Sequence, residues 1–381
     1  MERIIFFISC LFLCSALCWG QTWQLSKTMT ATLDAHGVLT ISTTKEAEAI
    51  PDFISCDDGR ITSPWQDDST ILSVVIEDRV TTIGVRAFQQ CRALESINIP
   101  NSVKKIGNRA FLQCSSLVSV VIPNSVTKIE DGAFVYCTAL TSVTIPNSIT
   151  EIASYTFSGC SALTSILIPN SVTVIGYRAF ALCEALTSVA IPNSVTMIGN
   201  WAFIGCHELT SVTIPNSVTI IGIGAFTGCT ALTSITIPNS VTVIEDNTFD
   251  GCTALTSVTI PNSVTEIGSR AFIECSALVS IEIPTSVTYI HDGAFGGCHA
   301  LMSITIPESV TCIGYAAFAA CRSLEHVFVA WIEPPICPFP IFNFDKKTTK
   351  EKTLHVPKGT KAHYKVADIW KDFATIVEIS E

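Results

Sequence analysis

The chain has 381 residues, of which 48% are hydrophobic and 14% charged, and its formal net charge is −11. Apolar side chains are plentiful, so burying a core is not the limiting problem. The acidic balance argues against nucleic acid as a partner, because binding phosphates needs clustered Lys and Arg.

At the N-terminus Arg3 supplies a positive charge, Ile4 to Leu17 is a short apolar run, and Cys18-Trp19-Gly20 offers small residues for cleavage. Residues 1–20 are therefore expected to be a signal peptide, with the mature chain starting at Gln21. The run is too short for a comfortable membrane span, and no later segment qualifies, so no transmembrane span is expected in the mature chain. Lipidation fits less well: Leu13 and Leu17 precede Cys14 and Cys18 where a small residue is wanted, and Cys10, after Ser9, has too little apolar sequence before it. The expected location is secreted or cell-surface.

Residues 21–70 read as an N-terminal cap with a β-hairpin. Met29 to Asp34 and Val38 to Ser42 flank the turn Ala35-His36-Gly37. Trp23 and Trp65 are suited to covering the first coil of a repeat array that begins at Ile71. The first repeat is imperfect, with Glu77 in place of Pro and Arg79 in place of Ser, as expected beside a cap.

Residues 71–329 repeat. Cys91, Cys114, Cys137, Cys160, Cys183, Cys206, Cys229, Cys252, Cys275, Cys298 and Cys321 are all 23 residues apart. Phe lies three residues before each and Leu three after each. A typical unit, Leu140 to Ala162, is LTSVTIPNSITEIASYTFSGCSA. Such a period means stacked supersecondary units. The LTSVTI segment alternates with period two and predicts a short strand. Pro146 ends it, Asn147-Ser148 turns the chain, and the following apolar pair is buried. The AFxxC segment has helical spacing but room for no more than a helical turn. One coil buries too little to offset about 1–2 kcal/mol of backbone entropy per residue, whereas stacked coils roof one another's cores. Ser148, Ser171 and their equivalents from Ser102 to Ser309 are expected to satisfy backbone groups of adjacent turns.

The pattern LxxVxIPNSVTxIGxxAFxxCxx resembles the BspA-type leucine-rich repeat, over roughly Ile71 to Leu324. The resemblance implies a leucine-rich-repeat solenoid of the α/β repeat class, mostly β. It implies a parallel sheet on the concave face, turns and short helical turns opposite, and β-rich caps at both ends. Some eleven coils at the usual strand spacing predict a sheet roughly 50 Å long. Relatives of this kind are surface or secreted proteins, several similar to adhesins that bind host matrix and plasma proteins. Binding is what the resemblance implies; periodicity by itself shows only a solenoid.

Residues 330–381 read as a C-terminal cap. The Pro-rich stretch Glu333 to Pro340 breaks the repeat, and the Lys cluster from Asp345 to Lys352 reads as a solvated loop. Thr353 to Val356 predicts a strand, Thr360 to Phe373 a short amphipathic helix, and Ile376 to Ile379 a final strand. LHVPKGTKAHYKVADIWKDF looks like the closing segment of relatives.

No residue set points to catalysis or a cofactor. Every coil has a Ser and no His accompanies it. His36, His207, His291, His299, His326, His355 and His363 show no HxxxH spacing and no CxxC occurs, so no metal site is expected. The repeated Cys point in parallel into the core, the wrong vectors for disulfides, so Cys137, Cys160 and Cys183 read with Phe157 and Phe180 as structural. Cys56, Cys312 and Cys337 lie off the series, and a Cys312–Cys337 bond stays open. The Gly of the IG pair gives way to Glu130, Ala153, Glu245 and His291, so it is neither a strict positive-φ site nor a phosphate loop.

Two surfaces are ligand-binding candidates, and binding is expected along the turn edge marked by Tyr155, Arg178 and Trp201, with the Ser/Thr sheet face as the alternative. The outward strand positions are mostly Ser and Thr, including Thr141, Ser142, Thr144, Thr164, Ser165, Thr210, Ser211, Thr213, Thr256, Ser257 and Thr259. The turn before AF varies most, and holds Tyr155, Arg178 and Trp201 in successive coils, with Tyr136 and Tyr177 near it. Those residue types anchor interfaces. The expected function is non-catalytic binding of a host or neighbouring-cell protein, with glycan or peptidoglycan as the alternative ligand.

Overall fold

A computed structural model describes residues 20–53, 63–337, 339–342 and 352–379. The expected signal peptide up to Trp19, Cys56, and the stretch from Asp345 to Glu351 lie outside them. The chain forms two compact units, Met1–Val172 and Thr173–Glu381. Each is a mostly-β parallel solenoid with the 23-residue period in its strand register.

In the first unit strands Met29–Leu33 and Val38–Thr43 form the antiparallel hairpin. The Asp34 carboxylate accepts the backbone N–H groups of His36 and Val38 at 2.8 and 2.9 Å, and Gly37 takes φ 78°. This is the turn that Asp and Gly favour together. Val38–Thr43 then pairs in parallel with Ser73–Ile76, and that strand with Ser96–Asn98. The hairpin thus starts the parallel stack.

A second, narrower parallel ladder was not visible in the repeat pattern. The two residues closing each VTxI segment pair across coils, as Lys105–Ile106 does with Lys128–Ile129. In the second unit Val174–Ile175, Met197–Ile198 and Ile220–Ile221 do the same. Two residues per coil are too short to announce themselves by alternation.

The core is built of rows. In the first unit Trp65 stacks on Phe88 at 5.9 Å, followed by Phe111 at 5.4 Å, Phe134 at 5.1 Å and Phe157 at 5.6 Å. Trp65 stands 23 residues before Phe88 and occupies the same place in its coil. In the second unit the row from Phe180 to Phe318 has centroid spacings between 5.3 and 5.8 Å. Each ring is fully buried, and burial of a large apolar side chain contributes roughly 1.5–3 kcal/mol. The Cys series lies beside this row. Cys137 donates its thiol to the Phe111 carbonyl at 3.2 Å and Cys160 to that of Phe134 at 3.3 Å. The thiol is small enough for the core and still partners a carbonyl that would otherwise be buried.

The AFxxC segment is not helical. Every coil has two left-handed residues here, one two residues before Phe and one directly before Cys, such as Arg109 (φ 54°) and Gln113 (φ 62°). Alternate N–H groups close i→i−3 turns or donate to the next coil: Arg109 to Asp131, Phe111 to Ala133, Gln113 to Val135. The left-handed residues turn these amides outward along the stack, which a helix would not do.

The Ser series is only partly hydrogen-bonded. Ser125, Ser148 and Ser171 donate to Val103, Val126 and Ile149, and Ser240, Ser263 and Ser286 do likewise. The hydroxyls of Ser102, Ser194, Ser217 and Ser309 are buried without a partner among the described residues.

The second unit ends in a cap that supplies the last coil's missing partners. Ala316 and Phe318 donate to the carbonyls of Pro340 and Ile341, and Phe342 stacks on Phe318 at 5.6 Å. Strands Thr353–Pro357 and Thr375–Ile379 extend the sheet in parallel. Two expectations are corrected here. The Thr360–Phe373 segment has a single helical turn, Lys361–Tyr364, and a 3-10 turn, Trp370–Asp372; Ile369 at φ 71° separates them. Lys352 is not solvated: it is 4% exposed and donates to the Leu324 carbonyl. No helix among the described residues is long and apolar enough to cross a membrane.

Candidate binding surface

The variable turn position is a left-handed one in all eleven coils, from Arg86 at φ 55° to Ala316 at φ 56°. Its side chains therefore leave the backbone along the stack. Where one is large, the next coil often has Gly. A Cβ on Gly224 would come within 2.2 Å of the Trp201 indole; at the other left-handed position, directly before Cys, one on Gly159 would come within 2.4 Å of the Tyr136 ring. These aromatics lie over the neighbouring coil and do not project freely. Tyr136 and Tyr155 keep 45% and 38% exposure in the first unit. In the second unit Trp201 and Tyr177 are half-buried, and the Arg178 guanidinium sits 5.4 Å from the Tyr177 centroid. Of the turn-edge candidates, Tyr155 belongs to the first unit and Arg178 and Trp201 to the second.

The sheet face divides into two kinds of Thr. Thr141, Thr210 and Thr256 donate to the carbonyls of Val118, Thr187 and Thr233 in the preceding coil, at 3.2, 3.2 and 3.0 Å. Those hydroxyls hold the sheet together. Thr144, Thr213 and Thr259 are exposed and carry no side-chain hydrogen bond among the described residues. Their coil position holds Asn98, Val121 and Leu167 in the first unit, and Ala190, Thr236, Glu282 and Thr305 in the second, all exposed. Val121 and Leu167 are 68% and 77% exposed, which no core requirement explains.

A cluster that no motif in the sequence marks lies at this same position. Phe328 is its occupant in a late coil, and His355 from the cap strand stacks on it at 4.2 Å with 13° between the rings. His326 Nδ1 lies 3.1 Å from His355 Nε2. Counting the register forward from Thr259 would have placed Phe328 outward. Nothing local reveals His355, because it enters from outside the repeat.

One hollow of about 680 Å³ in the first unit is lined by Asn108, Lys128, Glu130, Asp131 and Glu151. Burial pushes Glu130 up, but the hydrogen bond and charge of Lys105 at 2.7 Å outweigh it and hold the carboxyl below its ordinary value. Glu130 also accepts the Asn108 N–H, so it is a structural ion pair. No cluster of three or more His, Cys, Asp or Glu side chains is placed to hold a metal among the described residues.

The BspA type leucine rich repeat region family matches residues 65–187, 150–278 and 219–330. The chain belongs to this family. Among solved structures it is similar to a leucine-rich repeat protein from Bacteroides ovatus, with 29% identity, 81% of this chain and 94% of that one covered, and a TM-score of 0.59. It is also similar to a leucine rich cell surface protein from Faecalibacterium prausnitzii, at 29% identity, covering 97% of this chain and 96% of that one, TM-score 0.52. A leucine-rich repeat protein from Eubacterium ventriosum shares 25% identity over 79% of this chain and 95% of its own, TM-score 0.52. A search of curated proteins found no match. The family fits a binding role.

Proposed function

We propose that this BspA-type chain is a non-catalytic extracellular or cell-surface protein that recognises a host or neighbouring-cell protein through its repeat surface. The observation that carries this reading is the coil position of Val121, Thr144, Leu167, Thr213 and Thr259. It is exposed, chemically varied, and flanked by side chains that scarcely change between coils. Partner information resides where coils differ and the backbone imposes nothing. The turn position differs too, but its φ and the coil beyond constrain what it can hold. The sheet face is therefore favoured over the turn edge of Tyr155, Arg178 and Trp201.

A glycan is the second reading, motivated by the uncommitted hydroxyls of Thr144, Thr213 and Thr259. A screen of extracellular proteins run beside a glycan array with the chain from Gln21 separates the two. Binding by the Val121→Lys/Leu167→Lys and Thr213→Lys/Thr259→Lys variants is then compared with that of Tyr155→Ala/Arg178→Ala/Trp201→Ala. Loss only in the last variant moves the site to the turn edge.

A further inference from the structure

The outer face of the last sheet in the second unit holds two imidazoles with ring nitrogens in contact. Strand His326–Val329 pairs in parallel with Thr353–Pro357, register His326 to Thr353 and Phe328 to His355. His326 and His355 are therefore diagonal neighbours on one face of a regular ladder. Their facing nitrogens, Nδ1 and Nε2, are 3.1 Å apart. His355 is held flat on Phe328 at 4.2 Å, so its ring plane is set by packing before any ligand arrives. His326 is exposed, so the pair is reached directly from solvent. Elsewhere the coil position of His326 carries Ser, and that of His355 holds a varied set in which Thr is the commonest residue and no other His occurs.

We propose that His326 and His355 form an open two-imidazole site for a divalent transition-metal ion of the Ni²⁺ and Zn²⁺ type. Imidazole bonds to such ions are about 2.0–2.1 Å long, and two of them on a tetrahedral centre set their nitrogens roughly 3.3 Å apart. The observed separation reaches that value with a small turn of either ring. At 3.1 Å the facing nitrogens suit an N–H···N hydrogen bond, with the donor set by the tautomer. The ion takes the place of the proton in that bond, and the tautomer shifts so that each ring carries its hydrogen on the nitrogen facing away. No third His, Cys, Asp or Glu completes the set among the described residues, so water or a donor from another molecule fills the remaining positions. A site with two protein ligands and open positions suits a metal-bridged contact better than a structural zinc. Imidazole ligands select for Ni²⁺ and Zn²⁺ over Mg²⁺ and Ca²⁺, which take oxygen donors.

The test is titration of the purified full chain, free of chelators, with Ni²⁺, Zn²⁺ and Mg²⁺, followed by calorimetry, with Co²⁺ absorption as a spectroscopic signature of imidazole ligation. The expected result is one saturable Ni²⁺ or Zn²⁺ equivalent per chain, weakened at least tenfold in both His326→Gln and His355→Gln, unchanged in His207→Gln, and absent with Mg²⁺. Thermal melting of each variant distinguishes loss of the ligand from loss of the fold. Wild-type affinity in either the His326 or the His355 variant overturns the proposal. So does the absence of saturable binding, or binding abolished by Cys312→Ser or Cys337→Ser instead.

Discussion

The indole of Trp201 occupies the space that a side chain at Gly224 would need, with a Cβ there only 2.2 Å from the ring. The two residues stand at the same left-handed position of successive coils, at φ 59° and 61°. Gly224→Ala therefore meets two penalties, a left-handed Cβ costing about 1–2 kcal/mol and displacement of the indole. In urea unfolding, Trp201→Ala/Gly224→Ala should recover the second part and leave the first. A double variant no more stable than Gly224→Ala alone would show that the ring does not matter.

The row of thiols should be reduced and slow to react. Burial pushes Cys91, Cys206, Cys252 and Cys321 up to about 12, and Cys206 donates to the Phe180 carbonyl at 3.2 Å. The thiolate is the reactive form, so alkylation near neutral pH should be far slower in the native chain than in denaturant. Cys312 and Cys337, both partly exposed and free, should label first. Rapid native labelling at the repeated positions would contradict the packing.

Acid should loosen the N-terminal cap through Glu48. Hydrogen bonds from Thr43 and Ser26, then Thr28, with the charge of Lys45, hold its carboxyl at about 2 against an ordinary 4.5, burial opposing them. A carboxyl with a depressed folded pKa contributes stability that is full above its unfolded value and is lost as pH falls through the folded one. The loss should run from about pH 4.5 down to about 2. Glu48→Gln should be less stable than wild type at pH 7, and the gap should close on acidification. A gap constant with pH would remove Glu48 from the account.

Phe203 lies between Phe180 and Phe226, at 5.3 and 5.4 Å. Phe203→Ala should cost about 3–5 kcal/mol, because neighbouring coils cannot close the void without breaking their own register. The exposed Thr213→Ala should cost under about 1 kcal/mol. Equal shifts in Tm would mean that the inward face is misassigned.

Much of this molecule was legible in one dimension. A period of 23 with Phe, Cys and Leu at set offsets leaves no arrangement but stacked coils, because only stacking buries every copy of the same face. Alternation in LTSVTI marks which residues of the strand point inward, and the hairpin before the repeats followed from Ala35-His36-Gly37 between two alternating runs. What the letters did not carry depends on relations between coils. Arg178 and Trp201 do not themselves announce a left-handed backbone; only Gly132, Gly224 and Gly293 at the same coil position carry that signal. The turn aromatics therefore read as free anchors when they lie along the stack. Thr141 and Thr144 look alike in sequence, yet one hydroxyl is committed to the carbonyl of Val118 and the other is exposed with no side-chain hydrogen bond among the described residues. His326 and His355 are 29 residues apart with no spacing motif between them, and they meet because the cap strand takes the place of the next coil. The repeat period by itself determined the coil, its buried row and the ladder direction. Which side chains are available to a partner was decided by tertiary structure, because availability depends on what the adjoining coil has already bonded or covered.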